Sequence, residues 1–395
     1  MPSKKITVKT SEVLIERNEF QQKGLDLPHV SLTKEGVVPK SERYERDFLV
    51  KDEEKDYKVT RIGDLCYNPA NLKFGVITLN EKYNGIFSPI YVTFEINKKL
   101  MTNLYAKYFF IRHNFIGKLM RYQQGTVYER MSVSPEDFVR DSITIHTLSE
   151  QEKIGAFLSA IDRLIGKQKE KVDHIKTLKK GYLQRIFPQV SAQDPTIRFL
   201  NKNTSWKTTK FSSITFFSGK RNIDNLPLES YSISNENGFI PQNIQFENGG
   251  SMIDADKRMY YIVSPNSFAY NPARINVGSI GYQNNNKDVI VSSLYEVFKT
   301  TQGVNDDFLW HWFKSSNFQR LIHKYQEGGV RLYFYYDKLC LGTIAMPNLY
   351  EQRKIGLFFN IIDKLLKSEE TSLLAYERLK SFYIQKLFAY KEGNS

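Results

Sequence analysis

Residues 150–187 read EQEKIGAFLSAIDRLIGKQKEKVDHIKTLKKGYLQRIF, and residues 351–388 read EQRKIGLFFNIIDKLLKSEETSLLAYERLKSFYIQKLF. Stepping along the first by alternate fours and threes gives Ile154, Leu158, Ile161, Ile165, Gln168, Val172, Ile175, Lys179, Tyr182 and Ile186. Eight of these ten are apolar or aromatic, the a/d seam of a coiled coil. The second stretch repeats the seam 201 residues on: Ile355, Phe359, Ile362, Leu366, Glu369, Leu373, Tyr376, Lys380, Tyr383 and Leu387. Both polar interruptions recur at the same steps, which marks a true internal repeat.

At 395 residues, the chain is long enough for two to three domains, and 41% hydrophobic residues suffice for real cores. A formal net charge of +13 points to a polyanionic partner, nucleic acid first and an anionic membrane surface second. Cys66 and Cys340 are far apart and form no CxxC, so neither a disulfide framework nor a zinc knuckle is indicated. The N-terminal residues lack the apolar core of a signal peptide, and no apolar run approaches a membrane span. The expected location is cytoplasmic.

Between the helices the text is β-like. VSLTKEGVVPK, YKVTRIGDLCYNPA, FGVITL and GIFSPIYVTFEI are short runs rich in Val, Ile, Thr, Tyr and Phe. LYAKYFFIRHNFIGKLMRYQ reads as helical, and SITIHTL as a strand. Ser149 and Glu152 fit a capping box opening the first long helix. The region from Trp206 echoes the first half. Gly36-Val37-Val38-Pro39 matches Gly238-Phe239-Ile240-Pro241, Tyr67-Asn68-Pro69-Ala70 matches Tyr270-Asn271-Pro272-Ala273, and Tyr122-Gln123 matches Tyr325-Gln326. The expected plan is α+β: a first globule (1–148), a long helix (149–188), a linker (189–205), a second globule (206–347) and a second long helix (348–395). The helices are expected to pair antiparallel, as a rigid spacer of about 50 Å at 1.5 Å per residue.

This text and layout resemble the specificity subunit of type I restriction-modification systems. The carrying segments are EQEKIGAFLSAIDRLI with KKGYLQRIF, EQRKIGLFFNIIDKLL with LKSFYIQKLF, the stretch from Trp206-Lys207 through Ser218-Gly219-Lys220, and the YQ-G stretches upstream of each helix. The resemblance implies two target recognition domains in tandem, each reading half of a split duplex DNA sequence, on an antiparallel coiled coil. It implies docking of two adenine methyltransferase subunits and of restriction/translocase subunits in a bacterial cytoplasm, at the nucleoid when on DNA. S-adenosylmethionine, ATP and Mg would serve those partners, leaving this chain non-catalytic and without a bound cofactor or metal. One departure stands out. WKTTKFSSITFFSGKR opens the second globule, whereas the first offers only SEVLIERNEFQQKGLDLPH before Val30, so it is expected to be built differently at its edge.

Candidate chemistry in the chain itself is sparse. YNPA at 67 and 270 is superficially like the Asn-Pro-Pro-aromatic motif of adenine methyltransferases, but it lacks the second proline and the aromatic. A tight turn is the simpler reading. The six histidines show no ligand spacing, and no Walker A turn is present. What remains is DNA contact, which needs Arg, Asn or Gln for base edges and Lys, Arg or hydroxyls for phosphates. The first globule offers Lys40, Ser41, Arg43, Tyr44, Asn71, Lys73, Arg121, Tyr122, Gln123, Gln124, Tyr128 and Arg130. The second offers Lys220, Arg221, Gln242, Asn243, Arg274, Asn276, the amide-rich loop Gln283, Asn284, Asn285, Asn286 and Lys287, then Tyr325, Gln326, Arg331, Tyr333 and Tyr335. Singly, each reads more readily as a solvated loop residue; corresponding placement in both copies is the argument for the group. Lys167, Lys169, Lys171, Lys179 and Lys180 read as solvated coiled-coil flanks or as phosphate contacts. Rival readings are a specificity subunit of a related system outside type I, a coiled-coil adaptor, and an RNA-binding protein whose tyrosines stack on unpaired bases.

Overall fold

The computed structural model describes residues 5–22, 27–34, 36–40, 56–124, 132–188, 194–200, 205–235, 238–245 and 256–389. The chain forms two compact units, Met1–Lys169 with Thr371–Ser395, and Glu170–Glu370.

In the first unit, Lys5–Lys9 pairs antiparallel with Ser142–His146. A four-stranded sheet follows in the order Leu14–Glu16, Val92–Ile96, Leu65–Tyr67, Ile77–Leu79. A three-stranded sheet runs Phe20–Gln22, Asp56–Thr60, Gly85–Phe87, and Val30–Leu32 forms a hairpin with Val37–Pro39. The second unit repeats all four. Lys207–Lys210 pairs with Thr343–Met346, and the four-stranded order is Thr215–Phe217, Glu296–Thr300, Ser267–Tyr270, Ile280–Gln283. Lys220–Arg221, Tyr261–Val263 and Val289–Val291 make the three-stranded sheet, and Tyr231–Ser234 pairs with Gly238–Pro241. The fold is thus mixed α and β, built twice in one chain.

This overturns the expectation that the first globule lacks an opening segment. Lys5–Lys9, the turn Thr10–Val13 and Leu14–Glu16 occupy the places of Lys207–Lys210, Phe211–Ile214 and Thr215–Phe217. The letters differ while the burial agrees: Thr10, Val13 and Leu14 are as buried as Phe211, Ile214 and Thr215. The anchoring backbone bond also recurs, Thr10 N–H to the Asp141 carbonyl and Phe211 N–H to that of Gly342, 3.0 Å each.

The long helices run Leu148–Ile186 and Leu349–Leu387. The expected capping box is displaced: Ser149 already lies inside the helix, and Thr147 and Asn348 take the capping position. The Thr147 hydroxyl donates to Glu150, and Asn348 Oδ1 accepts the Glu351 N–H at 3.0 Å. The next residue fastens each helix to its unit. Gln151, fully buried, donates from Nε2 to the carbonyls of Leu100 and His146, 2.8 Å each, and accepts the Thr102 N–H at 2.9 Å. Gln352 repeats the pattern with the Gly303 and Pro347 carbonyls and the Asn305 N–H.

All twenty seam positions are buried or half-buried. Within the first unit, Leu158, Ile161 and Ile165 belong to the same apolar core as Leu373, Tyr376, Tyr383 and Leu387, so the helices run antiparallel. Asp162 receives Lys380 at 2.6 Å and the Tyr108 hydroxyl at 2.8 Å. Burial alone would raise its pKa, but these partners outweigh it and leave the carboxyl below its usual range. Within the second unit, Lys179 pairs with Asp363, Lys171 with Glu369 and Lys176 with Glu370. Each helix ends in a phenylalanine plug. Phe388 lies 5.1 Å from Tyr105 between ring centroids, and Phe187 lies 5.5 Å from Phe308. The described part of the linker is pinned to the second unit: Ile197 N–H donates to the Arg185 carbonyl, and Arg198 chelates the buried Glu351.

Replacing Gln352 with Leu leaves one buried N–H and two carbonyls without partners. Each such loss costs about 1–3 kcal/mol, so the urea midpoint of the variant should fall clearly below wild type; an unchanged midpoint would dismiss the staple. Lys314 supplies a second test. Burial, helped by nearby Lys179 and opposed by Asp363, lowers its pKa to about 8. A folded-state value below the unfolded one, about 10.4, means the unfolded chain binds more protons between the two. Stability contributed at this site therefore rises from pH 8 to 10. Lys314→Met should remove that rise from melting temperatures measured beside wild type over this window.

Candidate nucleic-acid interface

The Tyr-Asn-Pro-Ala turns are the hubs of the candidate surfaces. Tyr67 and Tyr270 are buried, and the Tyr67 hydroxyl donates to the Val133 carbonyl at 3.1 Å. The Asn68 side chain accepts the N–H groups of Ala70 and Asn71, opening a 3₁₀ turn over Pro69–Phe74 that Gly75 closes at φ 77°. Asn271 accepts the Ala273 N–H in the same manner, and Gly278 closes its turn at φ 95°. A left-handed residue at this point favours glycine. The motif is therefore structural, with its asparagine engaged by the backbone.

The proline carbonyl ties each turn to a hairpin distant in sequence. Val133 N–H donates to the Pro69 carbonyl, and Phe334 N–H to that of Pro272 at 3.1 Å. In the second unit the hairpin is described throughout. Glu327 and Tyr333 exchange both backbone bonds, at 2.9 and 2.7 Å. Gly328 sits at φ 127°, where an added Cβ would fall 2.2 Å from the Arg331 carbonyl oxygen. Phe334 is buried, while Tyr333 and Tyr335 face out, their rings parallel with centroids 5.6 Å apart. Arg331 is exposed at the tip, together with Val330 and Leu332. Arg274 and Asn276 are exposed on the adjoining turn. The turn-to-hairpin bond thus joins the turn that carries Arg274 and Asn276 to the hairpin that carries Arg331, Tyr333 and Tyr335.

The equivalent surface of the first unit carries exposed Lys73 and half-buried Asn71 on its turn. Arg121 pairs with Asp141, which raises its pKa, and its guanidinium lies 4.7 Å from the Tyr122 ring. The Tyr122 hydroxyl donates to the same carboxylate at 2.8 Å. Gln123 is half-buried; Gln124 is exposed, donates to Asp137 at 3.1 Å and exchanges both backbone bonds with Ser132. Lys40 is half-buried after the first hairpin; Ser41, Arg43, Tyr44, Tyr128 and Arg130 lie outside the described residues.

The other candidates sit on separate elements. Gln242 and Asn243 open a short helix, Gln242–Gln245, beside exposed Ile244. Lys220 is exposed, whereas Arg221 lies 4.3 Å above Tyr261 and donates to the Met259 carbonyl. Asn284, Asn285 and Asn286 are exposed, but Gln283 is fully buried, donating to the Lys287 carbonyl and accepting the Asn285 N–H. It shapes the loop instead of presenting an amide. Lys287 reaches Glu229 at 2.6 Å. Tyr325 and Gln326 are half-buried at the end of the helix Ser316–Tyr325. Of the helix lysines, Lys169, Lys171 and Lys179 are in ion pairs with the facing helix, while Lys167 and Lys180 are exposed. Val330 and Leu332, apolar and therefore outside the polar candidates, are projected beside Arg331 by the Gly328-Gly329 turn. Among the described residues, no three His, Cys, Asp or Glu side chains converge on a metal position, and no helix is long and apolar enough to cross a membrane.

Comparison with solved structures places this duplicated architecture. A chain from a study of complex assembly and conformational transition of the type I restriction-modification system superposes with a TM-score of 0.57 at 14% identity, covering 98% of both chains. The type I restriction-modification S subunit from M. genitalium gives 0.58 at 12% identity, covering 98% of this chain and 97% of that one. The likeness is one of fold. No family model and no curated protein sequence matches the chain.

If the hairpin tip meets nucleic acid, Arg331→Ala should weaken binding to duplex DNA and change its salt dependence or sequence preference. A slope of log K on log salt reduced by about one, equally for all sequences, marks a phosphate contact; a loss confined to one sequence position marks a base contact. Unchanged binding and slope would remove Arg331 from the interface.

Proposed function

We propose that this chain is the DNA sequence-specificity subunit of a type I restriction-modification complex. One observation carries the reading: the whole fold occurs twice, with the same buried frame and different exposed residues on its loops. Two readers of different half-sites require that combination, and the shared fold with a type I S subunit over nearly the full chain supports it. Each copy would read one half of an interrupted duplex sequence, using the turn-and-hairpin surface for base edges and flanking cations for phosphates. The chain itself would be non-catalytic and cytoplasmic. Two modification subunits would dock on it and methylate adenine with S-adenosylmethionine, and restriction subunits would supply ATP- and Mg-dependent translocation and cleavage. A specificity subunit of a related system outside type I would use the same surfaces.

The decisive experiment is co-purification with the methyltransferase of the same system and mapping of methylated adenines across the genome. A split motif that disappears on deletion of this chain is expected. Exchanging residues 206–346 for those of another such subunit should then alter one half of the motif only. Alteration of both halves would contradict two independent readers, and a complex without any motif would leave a scaffold.

A further inference from the structure

The two copies differ at one seat that the repeat builds twice. In the second unit, Glu351 is fully buried at the start of its long helix. Arg198 donates to it from Nε and Nη2, 2.9 Å each, and the Phe199 N–H adds a third bond at 3.2 Å. The Phe199 ring then lies 5.3 Å from Phe358, which stands edge-on to Tyr182 at 5.0 Å. A two-residue Arg-Phe clip thus fills an acid-and-aromatic seat.

The first unit carries the same seat. Glu150 corresponds to Glu351, Phe157 to Phe358, and Tyr383 to Tyr182. Phe157 and Tyr383 keep the edge-on contact, with centroids 4.9 Å apart. Yet Glu150 is half-exposed and has no cation partner among the described residues; its one side-chain bond comes from the Thr147 hydroxyl. Phe157 is 42% exposed, although its counterpart is covered by Phe199. A carboxylate beside an uncovered aromatic edge fits a guanidinium followed by an aromatic ring.

We propose that this seat docks a segment of a partner protein presenting an arginine directly followed by an aromatic residue, held as Arg198-Phe199 is held in the second copy. The carboxylate takes the guanidinium in a two-point bond and one backbone N–H, which fixes orientation, while Phe157 and Tyr383 accept the ring. Only the partner's identity, a modification subunit, rests on the specificity-subunit reading; the chemistry of the seat does not.

The probe is a fluorescein-labelled peptide of residues 194–200, Asp-Pro-Thr-Ile-Arg-Phe-Leu, titrated into the intact chain and followed by anisotropy. Saturable binding is expected, weakened at least tenfold by Glu150→Gln, by Phe157→Ala, or by alanine in place of the peptide's arginine. Lys118→Ala, at an exposed lysine on the helix His113–Leu119 outside the seat, should leave it unmoved. Absence of saturable binding at millimolar peptide, or binding indifferent to Glu150→Gln, overturns the seat. Benzoylphenylalanine at position 157 in the purified complex then identifies the occupant. A cross-link to a partner peptide containing an arginine-aromatic pair supports the proposal; a cross-link only to this chain's own terminal residues, or none, overturns it. Methylation mapping is independent of both measurements, so a failed seat and a failed specificity reading are told apart.

Discussion

A lysine in an apolar seam must find a carboxylate, and that requirement fixes how the two long helices pair. Lys179 and Lys380 occupy a/d positions and are half-buried, where an unpaired charge is costly. Asp162 and Asp363 lie seventeen residues before them in their respective helices. A parallel, in-register pair would set lysine beside lysine and aspartate beside aspartate. Antiparallel pairing instead gives each lysine the aspartate of the other repeat: Lys380 with Asp162, and Lys179 with Asp363. The outer pairs obey the same exchange, Lys169 with Glu377 and Lys176 with Glu370. Sliding either helix by one heptad would strand both seam lysines, so the polar interruptions of the seam specify direction and register together.

Direction alone would not orient a helix on its sheets; Gln151 and Gln352 do that. A primary amide offers two donors and one acceptor site facing different ways, and each glutamine uses all of them on three backbone groups. Glutamate of the same size could not donate to the two carbonyls. The staple joins the first turn of the helix to the strand that precedes it and to the loop before the helix Asn103–Phe110, or Asp306–Trp312 in the second copy. Each unit then receives the phenylalanine that ends the other repeat's helix, Phe388 on Tyr105 and Phe187 on Phe308.

The helices and most strands were legible in the sequence because their letters repeat at a nearly constant interval. The opening segment was not. Thr10 stands for Phe211 and Leu14 for Thr215, so what recurs there is burial and a backbone bond, neither of which is written in residue type. The cap was misplaced because Ser149 and Glu152 satisfy a local rule, while the backbone reaches Thr147 and Asn348 first. At the candidate interface, the loops were legible but not the availability of each side chain. Arg121 is held by Asp141 and Lys287 by Glu229, partners far off in the chain, and Gln283 is turned inward. No spacing rule exposes such tertiary pairings.

The segment that bonds to each Tyr-Asn-Pro-Ala turn shows how one frame can carry different exposed residues. In Tyr333-Phe334-Tyr335 only the middle residue faces the core, and its N–H holds the Pro272 carbonyl. The first copy has Ser132-Val133-Ser134 there, with Val133 buried and its N–H on the Pro69 carbonyl. The inward position needs only apolar bulk, and the anchoring bond comes from the backbone, which no substitution short of proline removes. The outward positions on either side take no part in that anchor, and they hold a pair of serines in one copy and stacked tyrosines in the other. A surface built this way can change its exposed side chains by substitution at alternate residues while its fold stays fixed, because alternation along an extended backbone separates the residues that hold the loop from those that face solvent.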